Sequence, residues 1–129
     1  MGDFVMAITY NWDCRNVEVY ASHTDLQQPA NTRSNVIFNV YWSLEGVDSE
    51  KDSFNLPYTA QKQGICELNI DNLSNFTSLS DVTNLQCSTW VQNVLGSSEI
   101  IALKDDIAKQ INSAKNPEGD QIMSEILNS

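Results

Sequence analysis

Few residues in this chain could act as nucleophile, base or metal ligand, and their spacing decides what each could do. The one histidine, His23, lies in a polar stretch with no cysteine or partnered serine nearby, so it has no nucleophile to activate and reads as a surface residue. Cys14, Cys66 and Cys87 stand far apart without a Cys-x-x-Cys pair. With a single histidine they compose no zinc set, which needs about four ligands at suitable spacing. They read as reduced, buried, small hydrophobes. Asp48, Glu50 and Asp52 alternate like the opening of a calcium loop, but the central glycine and closing glutamate are missing, which leaves a solvated turn. Asp105 and Asp106 are neighbours on a helical pattern, where adjacent residues point apart, so they make no acid and base pair. No glycine-rich phosphate loop occurs. These residues predict a non-enzymatic chain without metal or cofactor.

The charge balance narrows the partners. The chain has 129 residues, enough for one domain with an ordinary core, and a formal net charge of −10 from 17 acids and 7 bases. The bases are scattered at Arg15, Arg33, Lys51, Lys62, Lys104, Lys109 and Lys115, so no patch gathers to release phosphate counterions, and no nucleic-acid partner is expected. An acidic surface confers solubility, and it could also meet a basic protein or imitate the charge of DNA. Apolar runs such as Ile100-Ile101-Ala102-Leu103 fall far short of the roughly 20 residues that span a bilayer, so no membrane partner is expected. The start, Met1-Gly2-Asp3-Phe4-Val5-Met6, has an acid where a secretory signal is basic, and Met6 stands where myristoylation requires serine or threonine. The chain reads as non-secreted, which makes the acceptor matches Asn72-Leu73-Ser74 and Asn75-Phe76-Thr77 fortuitous.

The elements that must position these residues follow from periodicity. Ile8, Tyr10 and Trp12 alternate with Thr9, Asn11 and Asp13 as in a strand, and Val17 and Val19 continue the alternation in a second strand or a bulged extension over residues 16–20. Residues 21–34 are polar and read as a loop. Over residues 35–44, Val36, Phe38, Val40, Trp42 and Leu44 share one face. Residues 46–52 read as a charged turn. Phe54, Leu56 and Tyr58 resume the alternation at an edge, because Pro57 lacks an amide donor, and a turn at Gln63-Gly64 precedes a last strand over residues 65–70. The period then changes to helical. Thr83-Asn84-Leu85-Gln86 has the form of a capping box, Leu85, Trp90, Val91, Val94 and Leu95 make the buried face of a helix, and Gly96 ends it. A second helix carries Ile100, Leu103, Ile107 and Ile111 and stops at Asn116-Pro117. Trp12, Trp42 and Trp90 fall on two strands and a helix, as one shared core requires.

The expected fold is therefore α+β: an N-terminal antiparallel β-sheet of about four to five strands, then two C-terminal helices packed on it and a short tail helix. Residues 1–117 form a single domain, and residues 118–129 form a C-terminal tail. In that tail Asp120 can cap a helix whose apolar face is Ile122, Met123, Ile126 and Leu127. So short a helix is marginal alone, and these four residues are the candidate partner-binding site, docking in cis or in trans.

Read together, Met6-Ala7-Ile8-Thr9-Tyr10-Asn11-Trp12, the strand Asn35-Val36-Ile37-Phe38-Asn39-Val40-Tyr41-Trp42, and residues 85–117 around Trp90-Val91 and Lys115-Asn116-Pro117 carry a resemblance. Over residues 6–117 the chain resembles a family of small uncharacterised proteins of tailed bacteriophages, especially marine and cyanobacterial phages. The resemblance implies that Met1 to Val5 are an extension ahead of the Ala-Ile-Thr start. The chain departs from some members in lacking a Leu-Pro-Trp ending, which bears on the role of the tail. No catalytic residues come with the resemblance.

The resemblance and the lack of catalytic residues together lead to the expectation of a phage virion structural protein, assembled in the host bacterial cytoplasm. Its first form is a capsid decoration or cement protein bound to the major capsid protein, with homo-oligomerisation left open. Its second is a tail or tail-fibre accessory module bound to a tail protein. A third alternative, of another class, is a non-virion acidic inhibitor of a host DNA-binding protein.

Overall fold

The computed structural model describes residues 7–29, 32–71, 73 and 76–116. Strand β1 covers Ile8–Thr24, β2 Thr32–Lys51 and β3 Pro57–Glu67, paired in the order β1-β2-β3 as an antiparallel sheet. A 3-10 turn at Leu79–Asp81 leads to one helix, α1, Asn84–Lys115. Strand β2 is central, and from Val40 its inward positions Val40, Trp42, Leu44, Gly46 and Asp48 are all buried, which is the period-two signature of a strand with one core face, while before them Val36 and Ile37 are buried and Phe38 half-buried.

The expected four to five strands are thus corrected to three. Residues 7–12 and 16–20 belong to one strand, β1, and β3 replaces the two segments expected on either side of Gln63-Gly64. The physical reason lies in polar and glycine residues that serve the ladder's inner face instead of turns. An ideal Cβ on Gly46 would lie 2.5 Å from Ile107 Cγ2 and 3.0 Å from Ile8 Cγ2, so glycine is what lets these side chains meet. A Cβ on Gly64 would lie 2.7 Å from Trp42 Cζ2, so the indole covers that glycine and the strand passes through it.

The two expected C-terminal helices are likewise corrected to one. Gly96 adopts φ 82° and ψ 163°, a region open essentially to glycine alone, so α1 is kinked there and then continues. At its start the Thr83 hydroxyl accepts from the Gln86 amide at 3.1 Å, while the Gln86 side chain donates to the Thr77 hydroxyl at 3.3 Å and does not return to the cap. The expected tail helix and the residues Ile122, Met123, Ile126 and Leu127 lie outside the described residues.

The chain divides into two compact units. The first comprises Met1–Asn11, Glu45–Lys62 and Ile101–Ser129, and among its described residues Ile107 and Ile111 are fully buried. Each such burial contributes roughly 1.5–3 kcal/mol. Here the Tyr10 hydroxyl donates to the Lys104 carbonyl at 3.2 Å, and the Ser49 amide to the Ala7 carbonyl at 3.0 Å. The second unit comprises Trp12–Leu44 and Gln63–Ile100. Its core holds Cys14, Val36, Val40, Leu44, Cys66, Cys87 and Val91, with Trp12 packed edge-on against Trp42 at 5.6 Å between ring centroids. Among the described residues no helix is long and apolar enough to cross a membrane.

Candidate functional site

In the first unit the hairpin between β2 and β3 closes in a tight turn over residues 52–56. The Asn55 amide donates to the Asp52 carbonyl at 3.0 Å, the Asp52 amide to the Leu56 carbonyl at 2.8 Å, and Asn55 takes the left-handed conformation at φ 63°. Asparagine tolerates that region where a branched residue would not. The Asp52 carboxylate then accepts from the Phe54 amide at 2.8 Å and the Leu56 amide at 3.0 Å, so one side chain ties the turn twice. With its polar groups bonded internally, the turn presents Phe54 at 82% exposure and Leu56 at 60%. Sequence alternation alone places both in a strand, and the turn geometry corrects that. Asp52 and Asn55, both residues that favour turns, are the sequence signal for a tip here.

Asp48, expected in a solvated turn, is buried on β2 and forms an ion pair with Lys115 at the end of α1, while Glu50 lies 3.9 Å from the same ammonium. The Glu50 amide donates to Asp48 at 3.0 Å, and the Lys115 ammonium lies 5.9 Å from the Tyr58 ring centroid. Burial pushes the Asp48 carboxyl up, but the Lys115 ammonium and the amides of Glu50 and Ser49 outweigh it and hold the acid below its ordinary range. Asp106 pairs with Lys62, which likewise lowers its pKa.

The second unit places the remaining chemical groups. Cys14 on β1, Cys66 on β3 and Cys87 on α1 are all buried and free. Burial, with Cys87, Asp13 and Cys66 close enough to add their own field, pushes the Cys14 thiol up to about 11, and burial raises the other two. Raised thiols are inert, and among the described residues no group of His, Cys, Asp and Glu could hold a metal. That three cysteines remote in sequence meet in one unit was beyond the reach of local spacing. His23 corrects its surface expectation: it is half-buried near the end of β1, with Nε2 3.0 Å from the Ile70 carbonyl and its ring stacked on Tyr20. Asp25 accepts from the amides of Gln27, Gln28 and Leu73 at 2.7, 3.0 and 3.0 Å, and so ties the loop after β1 to the segment after β3.

The same unit carries an open groove of about 330 Å³ whose walls include Val36, Ile37, Phe76, Trp90 and Val94, with Asn69, Asn93 and Thr77 as its polar members. Arg33 stands over Phe76, 5.7 Å from the ring centroid. None of the described lining residues is titratable, so the groove can take apolar or amide contacts and has no group to move a proton.

A family model described as Domain of unknown function (DUF7936) matches residues 7–123. No curated protein and no solved structure matches the chain.

Proposed function

The chain belongs to the DUF7936 family, whose description assigns no activity, and we propose that it is a non-enzymatic structural protein of a phage virion, a decoration or cement protein bound to the capsid shell. The phage setting rests on the resemblance carried by residues 6–117. The observation that carries the binding role is the kind of side chain held at the surface. Phe54, Leu56, Val94 and Ile101 are exposed on hydrogen-bonded turn or helix, where apolar contact is available to a partner. Several ionisable groups, in contrast, are engaged in contacts within the chain. Asp13 binds Arg15, Asp48 binds Lys115, Asp106 binds Lys62, Glu18 accepts from Asn39 and Tyr41, and Asp25 accepts three backbone amides.

The test is direct: purified chain is mixed with shells assembled without it and sedimented at several salt concentrations. Saturable co-sedimentation is expected. Failure to bind in every salt would remove the capsid reading.

A further inference from the structure

We propose that the turn between β2 and β3 is the anchor by which the chain seats on its partner, with Phe54 and Leu56 entering an apolar pocket of the shell protein that is rimmed by lysine or arginine. This rests on the virion reading above and adds to it the contact residues and the chemistry of the receiving pocket.

Three observations lead there. The turn is locked before any partner arrives, since Asp52 accepts from the amides of Phe54 and Leu56 and closes two further backbone bonds to Asn55 and Leu56. A tip already ordered loses little conformational freedom on docking, which is how a small contact reaches useful affinity. Next, beside the ordinary turn residues Asp52, Ser53 and Asn55 the tip presents two that a plain turn does not call for. Glycine, asparagine, aspartate and serine suit such loops, yet here a phenylalanine 82% exposed and a leucine 60% exposed stand outside the buried core. Their apolar surface is free to be buried by something else, and aromatic anchors at the centre of a contact carry most of its strength. Finally, the charge selects the rim. The chain carries −10, and Glu50 and Asp52 flank the tip with only Lys51 between them, so a basic rim attracts and an acidic one repels. The same charge disfavours an anionic bilayer as the occupant.

The experiment uses the full chain, shells assembled without it, and the single variants Phe54→Ser, Leu56→Ser and Leu85→Ser. The last replaces a residue 77% exposed in the second unit and serves as the control. All three should melt with the wild type. Phe54→Ser should weaken binding about 30-fold, Leu56→Ser about 10-fold, and Leu85→Ser not at all. Raising salt to about 0.5 M should slow association and leave the bound fraction at saturation nearly unchanged, because screening acts on the approach and not on the buried contact. If all three variants bind as wild type does, the anchor is overturned while the capsid function stands; if wild type itself fails to bind, both fall. Equal losses in all three variants would show indiscriminate stickiness and would also overturn the anchor. Light scattering and vesicles containing phosphatidylserine complete the test. A wild-type oligomer that Phe54→Ser dissociates would make the turn a contact between copies, and Phe54-dependent vesicle binding would make it a membrane contact; either result overturns the proposal.

Discussion

Lys115, the last residue of α1, forms a buried ion pair with Asp48 of β2, their side chains 8% and 1% exposed. The pair closes the first unit, and it explains how a charged residue occupies an inward position of the central strand. Replacing Lys115 with Met leaves the Asp48 charge buried without its partner, and a loss of about 3 kcal/mol in urea unfolding is expected. Adding Asp48→Asn should recover much of that loss, because the two residues act as one unit. A double variant as unstable as the sum of the two single ones would contradict this pairing.

Acid should unfold the protein through a small set of carboxylates. The Leu73 amide lowers the pKa of Asp25, with burial opposing and the amides of Gln27 and Gln28 assisting. Asp48 is also lowered, burial being outweighed by Lys115. For a lowered carboxyl, the stabilisation is fully present above the unfolded-state value of about 3.9 and is lost as pH falls through the folded-state value. The urea midpoint should therefore change little on this account above about pH 5 and fall steeply below pH 4. A midpoint unchanged down to about pH 3 would contradict the account.

The three thiols should resist modification. Cys14, Cys66 and Cys87 are buried and their pKa values are raised, so at neutral pH they are protonated and sheltered. Labelling with a thiol reagent should proceed only as fast as the protein opens, and all three should label at once in denaturant. A single cysteine reacting within seconds under native conditions would show an accessible thiolate there.

Gly46 and Gly64 are required by packing. Alanine at position 46 drives its methyl to 2.5 Å from Ile107, and at position 64 to 2.7 Å from Trp42. Each substitution should destabilise by about 1–3 kcal/mol in thermal or urea unfolding. Wild-type stability in either variant would mean that the neighbouring side chain moves away freely.

The segment holding Ile122, Met123, Ile126 and Leu127 can be tested by deleting residues 122–127. If it is a partner-docking element, the shortened chain should fold as the full chain does and lose assembly or shell binding. Loss of folding would assign the segment to the domain itself.

Parts of this fold were legible in the sequence, and the gaps have identifiable causes. The alternation from Val36 to Leu44 revealed the central strand, because every second residue there is apolar and all but the half-buried Phe38 are buried. The alternation became unreadable at Gly46 and Asp48, whose inward places depend on Ile107 and Lys115, residues some 60 positions away. Glycine misled twice for one reason: Gly64 accommodates Trp42 and Gly96 kinks a helix that continues, yet locally each resembles a stop. At the candidate site the sequence contained the turn residues Asp52 and Asn55, but Phe54, Leu56 and Tyr58 fitted strand alternation and hid the tip. The meeting of Cys14 with Cys66 and Cys87 is tertiary, and no local pattern announces it.

The most direct test of the proposed function, which takes the chain to be phage-encoded, is quantitative mass spectrometry of gradient-purified particles from its source, with the major capsid protein as the copy-number reference. The capsid reading predicts abundance comparable to that of the shell protein. A few copies per particle would place the chain in the tail, and its absence from particles would contradict the virion reading and favour an intracellular acidic inhibitor.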